Sequence, residues 1–503
     1  MQSELIETLA EISDLKRATA LLAWDERTKM PSAGAAARAE QIASLTRIRH
    51  LRLTSDELGR LLDSAEGQLG SSSPLEFEAS LLRRARRDWE KARRVPADLQ
   101  AELARTTSLA EHAWEDARAD SDFAVFLPHL ERVVELKRRY IDCFEVEHPY
   151  DALLDDFEPA MTTRELTPVL ERLCEGVVEL LGEIDRNGHE VDSSCLYGDF
   201  ALERQAVLAE MVTARLPLQP DAWRLDDTVH PFATAIAISD VRITTRFDSS
   251  YIGTALWSVI HEVGHALYHN GIDPELDRTP LCTSASLGFD ESSSRLWENW
   301  VGRGRPYLTH LLALLQQSFG DHFGSVDAEQ LYRAANRVER TPIRVEADEV
   351  TYNLHIALRF ELERELFAGR VTVAELPEAW DALAQRLVGI EPSGAANGVL
   401  QDVHWGSGAF GYFPTYSLGN VIAGQLWELA RIELPQLDEQ LAAGETGPLR
   451  DFLGERVYRH GAKLLPGEMI ELACGGPLDP EPLLAHLRAK FGEVYGLAGV
   501  AQG

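Results

Sequence analysis

Residues 258–270 have the sequence SVIHEVGHALYHN, in which three histidines and one glutamate lie among apolar residues. The apolar spacing predicts a helix over residues 254–268. On that helix His261 and His265 lie one turn apart on the same face, so their imidazoles can bind one zinc ion at about 2.0–2.1 Å. Glu262 lies beside the first histidine and is a candidate general base for a water on the metal. The segment therefore predicts a helical protein built around a metal centre.

The HExxH pattern by itself is not proof of a metal site. A chain of this composition contains roughly 0.07 such matches by chance, so two structural histidines are the alternative interpretation. His269 continues the row of histidines, but it lies about 12 Å from His261 along the helix axis, too far to share a tetrahedral ion. We therefore expect His269 to support the site or the structure, and the third ligand to come from another segment.

The third ligand is predicted on the next helical segment, residues 286–300, with the sequence SLGFDESSSRLWENW. This segment places Glu291 26 residues after His265. A neighbouring helix that returns a glutamate gives two histidines, one glutamate and a water, which is a common set for catalytic zinc. The spacing favours Glu291 and leaves Asp290 and Glu298 as alternatives.

The rest of the chain is mostly helical in pattern. Apolar residues recur at three- and four-residue spacing over residues 3–22, 54–64, 74–94, 123–144 and 164–186. The pattern breaks at residues 241–247, where apolar and β-branched residues alternate with polar ones, which predicts a strand. The preceding FATAIAI, residues 232–238, is its expected antiparallel partner. We predict a mainly α protein with a single large domain, residues 1–503, and a small antiparallel β insert before the histidine helix.

Composition and charge exclude several functions. The 503 residues carry 49 basic and 81 acidic side chains, and the net charge of −32 argues against nucleic-acid binding, which depends on Lys and Arg at phosphates. The N-terminal sequence MQSELIETLAEISDLKR lacks a basic start followed by an apolar core, so we expect no secretory signal and a cytoplasmic protein. Five scattered cysteines without CxxC spacing also fit a reducing compartment. Residues 403–427 are uncharged but contain five glycines and a proline, so we expect no membrane span.

Several further stretches have unusual sequences. They are WDERTKMPSAGAAARAEQ from Trp24, HPF at 230–232, DVRIT at 240–244, IRVEADEVTYNLH from Ile343 and QDVHWGSGAFGYFPTYSLGN from Gln401. Together with HEVGH and with DES at 290–292, these stretches closely resemble the carboxypeptidase Taq family of zinc carboxypeptidases. The resemblance covers essentially the whole chain, with the motifs in the same order.

The resemblance implies an α-helical fold with a deep active-site groove, related to the neurolysin and angiotensin-converting-enzyme gluzincins. It also implies a homodimer, one zinc ion per chain that cobalt can replace, and release of single amino acids from the free C-terminus of peptides with broad specificity. Matched residue by residue, the metal ligands are His261, His265 and Glu291, and the catalytic carboxylate is Glu262. Arg344 matches the arginine proposed to hold the substrate's C-terminal carboxylate.

One residue departs from the family pattern. The family usually has His-Glu-Ser-Gln where this chain has Asp290-Glu291-Ser292-Ser293. The ligand is kept, but an aspartate replaces a histidine beside the metal. We therefore expect changed hydrogen bonding around the metal and a changed pKa of the water.

The glycine-rich segment from Gln401 contains candidates for stabilising the tetrahedral intermediate, which needs a hydrogen-bond donor besides the metal. In related gluzincins a similar loop supplies a tyrosine and a histidine. We therefore assign Tyr416 to this role, with His404 assisting, and Tyr412 to the substrate site. Packing in an aromatic core is the alternative for each of the three.

An exopeptidase must also recognise a free carboxylate, and a guanidinium does so with two hydrogen bonds. Arg344 and Arg242 are the candidates. The structural alternatives are an ion pair with Asp348 for Arg344 and an ion pair on the strand for Arg242. The family match alone places His230 in the substrate groove.

The sequence therefore favours a cytoplasmic metallocarboxypeptidase. Zinc-bound water attacks the last peptide bond, Glu262 acts as general base and then acid, and Arg344 holds the terminal carboxylate. A second hypothesis is an oligopeptidase that cleaves internally and would still cut a C-terminally amidated peptide. A third is a helical binding protein that keeps the metal without turnover, and the carboxylate at position 262 argues against it.

Overall fold

The structure is a computed structural model that describes residues 3–69 and 73–497. It divides into two compact units. The first comprises Met1–Arg93, Asp192–Ala335 and Gln425–Pro477, and the second comprises Arg94–Val191, Asn336–Gly424 and Leu478–Gly503. The assignment of residues 1–503 to a single domain stays a prediction.

Helices make up most of the described residues, as the sequence predicted. In chain order they are α1 (Ser3–Thr28), α2 (Ala35–Leu53), α3 (Asp56–Glu66), α4 (Phe77–Arg94), α5 (Ala97–Asp120), α6 (Phe123–Ile141), α7 (Pro149–Leu154), α8 (Thr163–Asn187), α9 (Leu202–Thr213), α10 (Gly253–Asn270), α11 (Leu287–Arg295), α12 (Arg305–Ser318), α13 (Gly320–Phe323), α14 (Ala328–Ala335), α15 (Tyr352–Phe367), α16 (Leu376–Leu383), α17 (Pro414–Glu433), α18 (Leu437–Ala442), α19 (Gly447–Arg456), α20 (Pro466–Cys474) and α21 (Glu481–Tyr495). π-Helical turns at Leu296–Gly302 and Ala384–Val388 extend α11 and α16. The mainly α fold class is confirmed.

The β insert lies between α9 and α10 and has three strands, β1 (Trp223–Asp227), β2 (Ala233–Ala237) and β3 (Asp240–Thr245), in the order β1-β3-β2. β2 and β3 are antiparallel, as predicted, with Ala233 opposite Ile243. β1 was not predicted, and it pairs in parallel with β3. Its sequence, WRLDD, lacks the run of β-branched residues that marked β3. The insert is therefore mixed and not purely antiparallel.

The sheet supports the histidine helix within the first unit. On β3, Val241 and Ile243 are fully buried while Arg242 between them is partly exposed, as a period of two requires. Thr244 and Thr245 are both fully buried, so the alternation does not continue through these two residues. β2 and β3 pack on α10, and the Thr245 hydroxyl lies 2.9 Å from the hydroxyl of Ser258 on that helix. The strands therefore support the face of α10 that carries Ser258.

A glycine between the two histidines allows α11 to approach α10 closely. A Cβ atom at Gly264 would lie 2.5 Å from the Ser294 Cα and 2.8 Å from the Ser293 carbonyl oxygen, both on α11. The Ser293 hydroxyl donates a hydrogen bond of 2.6 Å to the Gly264 carbonyl. Any larger side chain would separate the helices, so this glycine determines how near the carboxylates of α11 come to the histidines.

In the second unit, α15 runs through the hydrophobic core. Its apolar residues are buried on every side, including Leu354, Ile356, Leu358, Phe360 and Leu362. Three polar residues interrupt them at four-residue intervals, His355, Arg359 and Glu363, and each is 2% exposed or less. Since residues four apart share a helix face, these side chains form one polar row inside an apolar core.

None of the helices formed by residues 3–69 and 73–497 combines the length and the apolar character that crossing a bilayer requires. The uncharged residues 403–427, considered above, form a turn-rich segment followed by the start of α17. Much of that stretch is buried, including Trp405, Phe410 and Phe413. Its apolar character is therefore explained by packing inside the protein.

Candidate active site

The structure brings the three predicted ligands together. His261 and His265 on α10 and Glu291 on α11 each offer a ligating atom, and these atoms lie within 4.8 Å of one another. The His261 Nε2 atom is 3.8 Å from the Glu291 carboxylate. A cluster of this size and donor set matches what one divalent metal ion requires.

A second carboxylate faces the Nδ1 atom of each histidine. His261 Nδ1 lies 3.0 Å from Glu298 Oε2, and His265 Nδ1 lies 3.2 Å from Asp290 Oδ1. A carboxylate in this place holds the proton on Nδ1 and leaves the lone pair of Nε2 available to a metal. The donor set therefore fits a divalent metal ion.

Asp290, the residue that departs from the family pattern, lies between two histidines. Its Oδ1 atom is also 3.5 Å from His269 Nε2, a contact that fits the supporting role expected of His269. Burial lowers the pKa of His265, but the charges of Asp290, Glu291 and Glu262 outweigh it and raise the pKa to about 10. Burial raises the pKa of Asp290, but the two histidines outweigh it and hold the pKa well below its usual range.

Glu298 is not placed as a ligand. It lies on the π-helical turn after α11 and contacts Arg295 at 3.4 Å and Arg303 at 3.1 Å as well as His261. Burial raises its pKa, but His261 and the two arginines outweigh it and keep that pKa well below the usual range. A π turn changes the direction of the side chains relative to a regular helix, so helical spacing could not predict this contact.

Glu262 lies beside the ligand cluster and has an unused oxygen. It is 5% exposed, and its Oε2 atom has no hydrogen-bond partner within the part of the chain that the structure describes. Burial raises the pKa of Glu262, although His261 and His265 act against the increase. A buried carboxylate with a free oxygen and a raised pKa is suited to take a proton from a water.

A second charged cluster lies in the second unit around Asp402. Its Oδ1 atom accepts hydrogen bonds from Arg344 Nε at 3.0 Å and Nη2 at 2.8 Å. Its Oδ2 atom accepts from Arg359 Nε at 2.7 Å and Nη2 at 2.5 Å. Arg344 is 5% exposed and Arg359 is fully buried. Two guanidiniums thus share one carboxylate, which leaves the cluster with an excess of positive charge.

The ion pair between Arg344 and Asp348, which sequence spacing allowed, is replaced by the pair with Asp402. Arg344 lies in a 3-10 turn and not in an α-helix, so four-residue spacing does not bring Asp348 onto the same face. Asp348 instead accepts hydrogen bonds at the start of α15, from Val350 and from Thr351. Arg344 also donates to the Tyr352 hydroxyl at 2.9 Å.

His404, Tyr412 and Tyr416 lie together in this unit. The ring centroids of His404 and Tyr412 are 5.2 Å apart, and those of Tyr412 and Tyr416 are 5.3 Å apart. The Arg344 guanidinium lies 4.9 Å from the Tyr416 ring, a cation–π distance. Burial lowers the pKa of His404 to about 4 despite the Asp402 carboxylate, so its imidazole is neutral at neutral pH. The structure therefore groups three of the predicted residues with Arg344.

Two other predicted residues lie in the first unit. Both Nε and Nη2 of Arg242 donate to the Asp240 carboxylate, and the guanidinium lies 4.8 Å from the Trp24 ring. The structural ion pair that the sequence allowed for Arg242 is therefore present. His230 is exposed in the loop between β1 and β2.

Sequence analysis did not single out Asp402, Arg359 or Glu363. Asp402 is separated from Arg344 by 58 residues and from Arg359 by 43, so no local spacing connects them. A signal did exist on α15, because a charged residue on a helix that is apolar on all faces has to find a buried partner. The sequence of α15 therefore indicates that Arg359 and Glu363 have buried polar partners, but it does not identify those partners.

A mainly helical chain with two histidines one turn apart, a returning glutamate and a buried free carboxylate has the features of a gluzincin-type metallopeptidase. Comparison with known proteins also gives a metallopeptidase. The family model described as Carboxypeptidase Taq (M32) metallopeptidase matches residues 4–491. The chain belongs to this family and is a peptide hydrolase.

Individual relatives agree over nearly the full length. The chain is 40% identical over 502 residues to Thermostable carboxypeptidase 1 of Thermus thermophilus, which covers 98% of both chains. It is 37% identical over 495 residues to Carboxypeptidase 1 of Bacillus subtilis, again over 98% of both. The crystal structure of the M32 carboxypeptidase from Deinococcus radiodurans R1 matches with a TM-score of 0.93 and 38% identity, over 98% of this chain and 99% of that one.

Proposed function

We propose that this protein is a zinc carboxypeptidase that removes single amino acids, with broad specificity, from the free C-terminus of peptides. The observation that carries the proposal is the cluster of His261, His265 and Glu291, with the free oxygen of Glu262 beside it. Two imidazoles and one carboxylate are a typical catalytic zinc set, with one position left for water. Cobalt can use the same donors.

When bound by these residues, a divalent metal polarises the peptide carbonyl and lowers the pKa of a water. Glu262 accepts the proton of that water on its free oxygen and transfers it to the leaving amine. Asp290 and Glu298 keep the two imidazoles in one tautomer and orientation throughout. Burial of Glu262 favours this role. It raises the pKa of the carboxylate towards the working pH, where a general base and acid is most effective.

We assign the substrate's terminal carboxylate to Arg344. The excess positive charge of the Asp402 cluster supports this role, since a buried guanidinium that shares its counter-ion favours a second anion. We assign stabilisation of the tetrahedral intermediate to the Tyr416 hydroxyl and the neutral His404 ring. Tyr412, which lies between them, is assigned to substrate contact, and the same role for Arg242 and His230 rests on the family match alone.

We also propose that the protein works in the cytoplasm as a homodimer and binds peptides but neither nucleic acid nor membranes. The net charge of −32 supports the exclusion of nucleic acid. The dimer rests on the family resemblance, and the location rests on the five scattered cysteines without CxxC spacing. Light scattering on the purified protein tests the dimer.

The experiment for the activity compares one short peptide that has a free C-terminus with its amidated twin. Each is incubated with the protein in the presence of zinc or cobalt, and again with a chelator, and products are identified by mass spectrometry. We expect stepwise loss of single residues from the free peptide only, abolished by the chelator. Internal cleavage of both peptides would favour an oligopeptidase, and no cleavage of either would favour a binding protein.

A further inference from the structure

The buried helix α15 holds the segment that carries His404 and Tyr416. This segment, residues 401–416, is hydrogen-bonded to α15 through Asp402, Trp405 and Gly411. Arg359 binds Asp402, and one turn later on the same face Glu363 accepts hydrogen bonds from Trp405 and Gly411. All of these residues belong to the second unit.

Glu363 has an unusually complete set of donors for a buried carboxylate. Its Oε1 atom accepts from the Trp405 indole at 2.7 Å, and its Oε2 atom accepts from the Tyr150 hydroxyl at 2.6 Å and the Gly411 amide at 3.0 Å. Its side chain is fully buried. Burial raises the pKa of Glu363 to about 7 against these donors, so the hydrogen bonds do not fully offset the loss of water.

The three hydrogen bonds of Glu363 connect separate segments of the second unit. An apolar side chain in the same place would avoid the desolvation of a carboxylate, and in some proteins a buried polar group fixes geometry without adding stability. Here two of the three donors belong to residues 401–416, and the third belongs to α7. Glu363 therefore ties this segment to α7 and α15 at fixed positions.

The two anchored residues are the chain neighbours of two candidate site residues. Trp405 follows His404 directly, and Gly411 precedes Tyr412. Gly411 has φ of 90°, and a Cβ atom there would lie 2.5 Å from the Leu153 carbonyl on α7, so its backbone is held from the other side as well. A displacement of Trp405 would therefore move the His404 ring, and a displacement of Gly411 would move the Tyr412 ring.

We propose that Glu363 is a positioning residue for the reaction, which acts through Trp405 and Gly411 to keep His404 and the tyrosines of residues 401–416 in place. The inference rests on the proposed function, because it assumes that these rings act on the substrate. Arg359 supports the same segment through Asp402 and also anchors Arg344. Among the described residues, the hydrogen bonds from residues 401–416 to Glu363 come from Trp405 and Gly411 and not from Asp402, so its effect should fall on turnover more than on substrate binding.

The test uses Glu363→Gln, which keeps the shape but can accept fewer hydrogen bonds. A matched control is Glu349→Gln, since Glu349 is also a buried carboxylate of the second unit and binds Lys490 at 2.6 Å and His486 at 3.0 Å, away from residues 401–416. Tyr150→Phe is a second control that removes the one donor of Glu363 lying outside the segment. Thermal unfolding is recorded for every variant, so that loss of stability is separated from loss of position.

Two readouts are compared, hydrogen–deuterium exchange of peptides covering residues 401–416 and steady-state hydrolysis of a free-C-terminus peptide. For E363Q we expect faster exchange in this segment and a fall in kcat of about tenfold or more, with KM changed by less than about threefold. E349Q should lower thermal stability without either effect, and Y150F should have a smaller effect than E363Q on both readouts. If E363Q does not fold, Trp405→Phe is used, because it removes only one donor to Glu363.

Unchanged exchange in residues 401–416 of E363Q would overturn the proposal, as would equal loosening in E349Q. Faster exchange with an unchanged kcat would show that Glu363 orders the segment without serving the reaction, and that outcome also overturns it. If the wild-type protein releases no amino acid, the proposed function fails, and the exchange data alone then decide whether Glu363 positions the segment.

Discussion

The ligand cluster of the first unit and the Asp402 cluster of the second are both built from buried charged groups, but their charge balance is opposite. Beside the two ligand histidines lie four carboxylates, those of Glu262, Asp290, Glu291 and Glu298. They outnumber the two arginines in contact with Glu298, Arg295 and Arg303. Asp402, in contrast, is a single carboxylate held by two guanidiniums. The first arrangement favours a cation and the second an anion. A metallocarboxypeptidase needs both, one for the metal and one for the substrate's terminal carboxylate.

The largest loss of activity should follow from removing Glu262, the proposed proton carrier beside the ligand cluster. Glu262→Gln keeps the size of the side chain but cannot accept a proton, so kcat/KM should fall by about 10³- to 10⁴-fold. Metal content, measured by atomic emission, should stay at the wild-type value because Glu262 is not a ligand. The matched variant Glu291→Gln should lose the metal instead. Substantial activity in E262Q would show that Glu262 is not the general base of the reaction.

A smaller loss of activity should follow from changing Arg344 in the Asp402 cluster. Arg344→Ala should lower kcat/KM for peptides with a free C-terminus by about 10²-fold or more, mainly through KM, because a buried guanidinium–carboxylate contact is lost. Arg344→Lys keeps the charge but cannot form the bidentate hydrogen bonds of a guanidinium, so it should recover only part of the lost activity. Discrimination between free and amidated peptides should disappear in R344A. Unchanged discrimination would assign the terminal carboxylate to another residue.

The two clusters also differ in how well the sequence predicted them. The two histidines of the ligand cluster could be predicted because His261 and His265 are one turn apart on one helix. Spacing favoured Glu291 on the next helix of the chain and left Asp290 and Glu298 as alternatives. The Asp402 cluster could not be predicted, since Arg344 and Asp402 are 58 residues apart and meet only through the packing of the second unit. Arg344 itself was found through the family resemblance, which gave its role but not its partner.

Local irregularities limited the prediction even within the first unit. The place of Glu298 depends on a π turn, which spacing rules for regular helices do not describe. The parallel strand β1 lacks an apolar alternation, so the insert was predicted with two strands. The mainly α class was predictable because it depends on the summed periodicity of many helices, and a single irregular turn does not change that sum.

Asp290 allows a finer test of the acidic site. Asp290→Asn keeps the shape but weakens the contact with His265 Nδ1, so metal affinity measured at pH 9 should fall by about 10- to 100-fold. Glu298→Gln is the matched variant at His261 and should have an effect of similar size. An unchanged dissociation constant in D290N would show that His265 is oriented by the packing of α10 alone.

The smallest effect for a single step, about tenfold for each pH unit, concerns the protons that compete with the metal. In the metal-free protein, Asp290 and the neighbouring glutamates raise the pKa of His265 to about 10, so this ring is protonated at neutral pH. A metal must displace that proton, and its apparent affinity should rise about tenfold for each pH unit between pH 7 and 9 and level off above about pH 10. Calorimetry in buffers of different ionisation enthalpy should detect release of about one proton per metal from this ring at pH 8.

The D290N variant separates this proton from other causes of pH dependence. Without the Asp290 charge the pKa of His265 should fall, so the ring is less protonated at pH 8 and the number of protons released should decrease. The loss of affinity in D290N should therefore be smaller at pH 7 than at pH 9, because weaker proton competition partly offsets the weaker metal contact. Equal losses at both pH values would mean that Asp290 orients the ligand without setting its protonation.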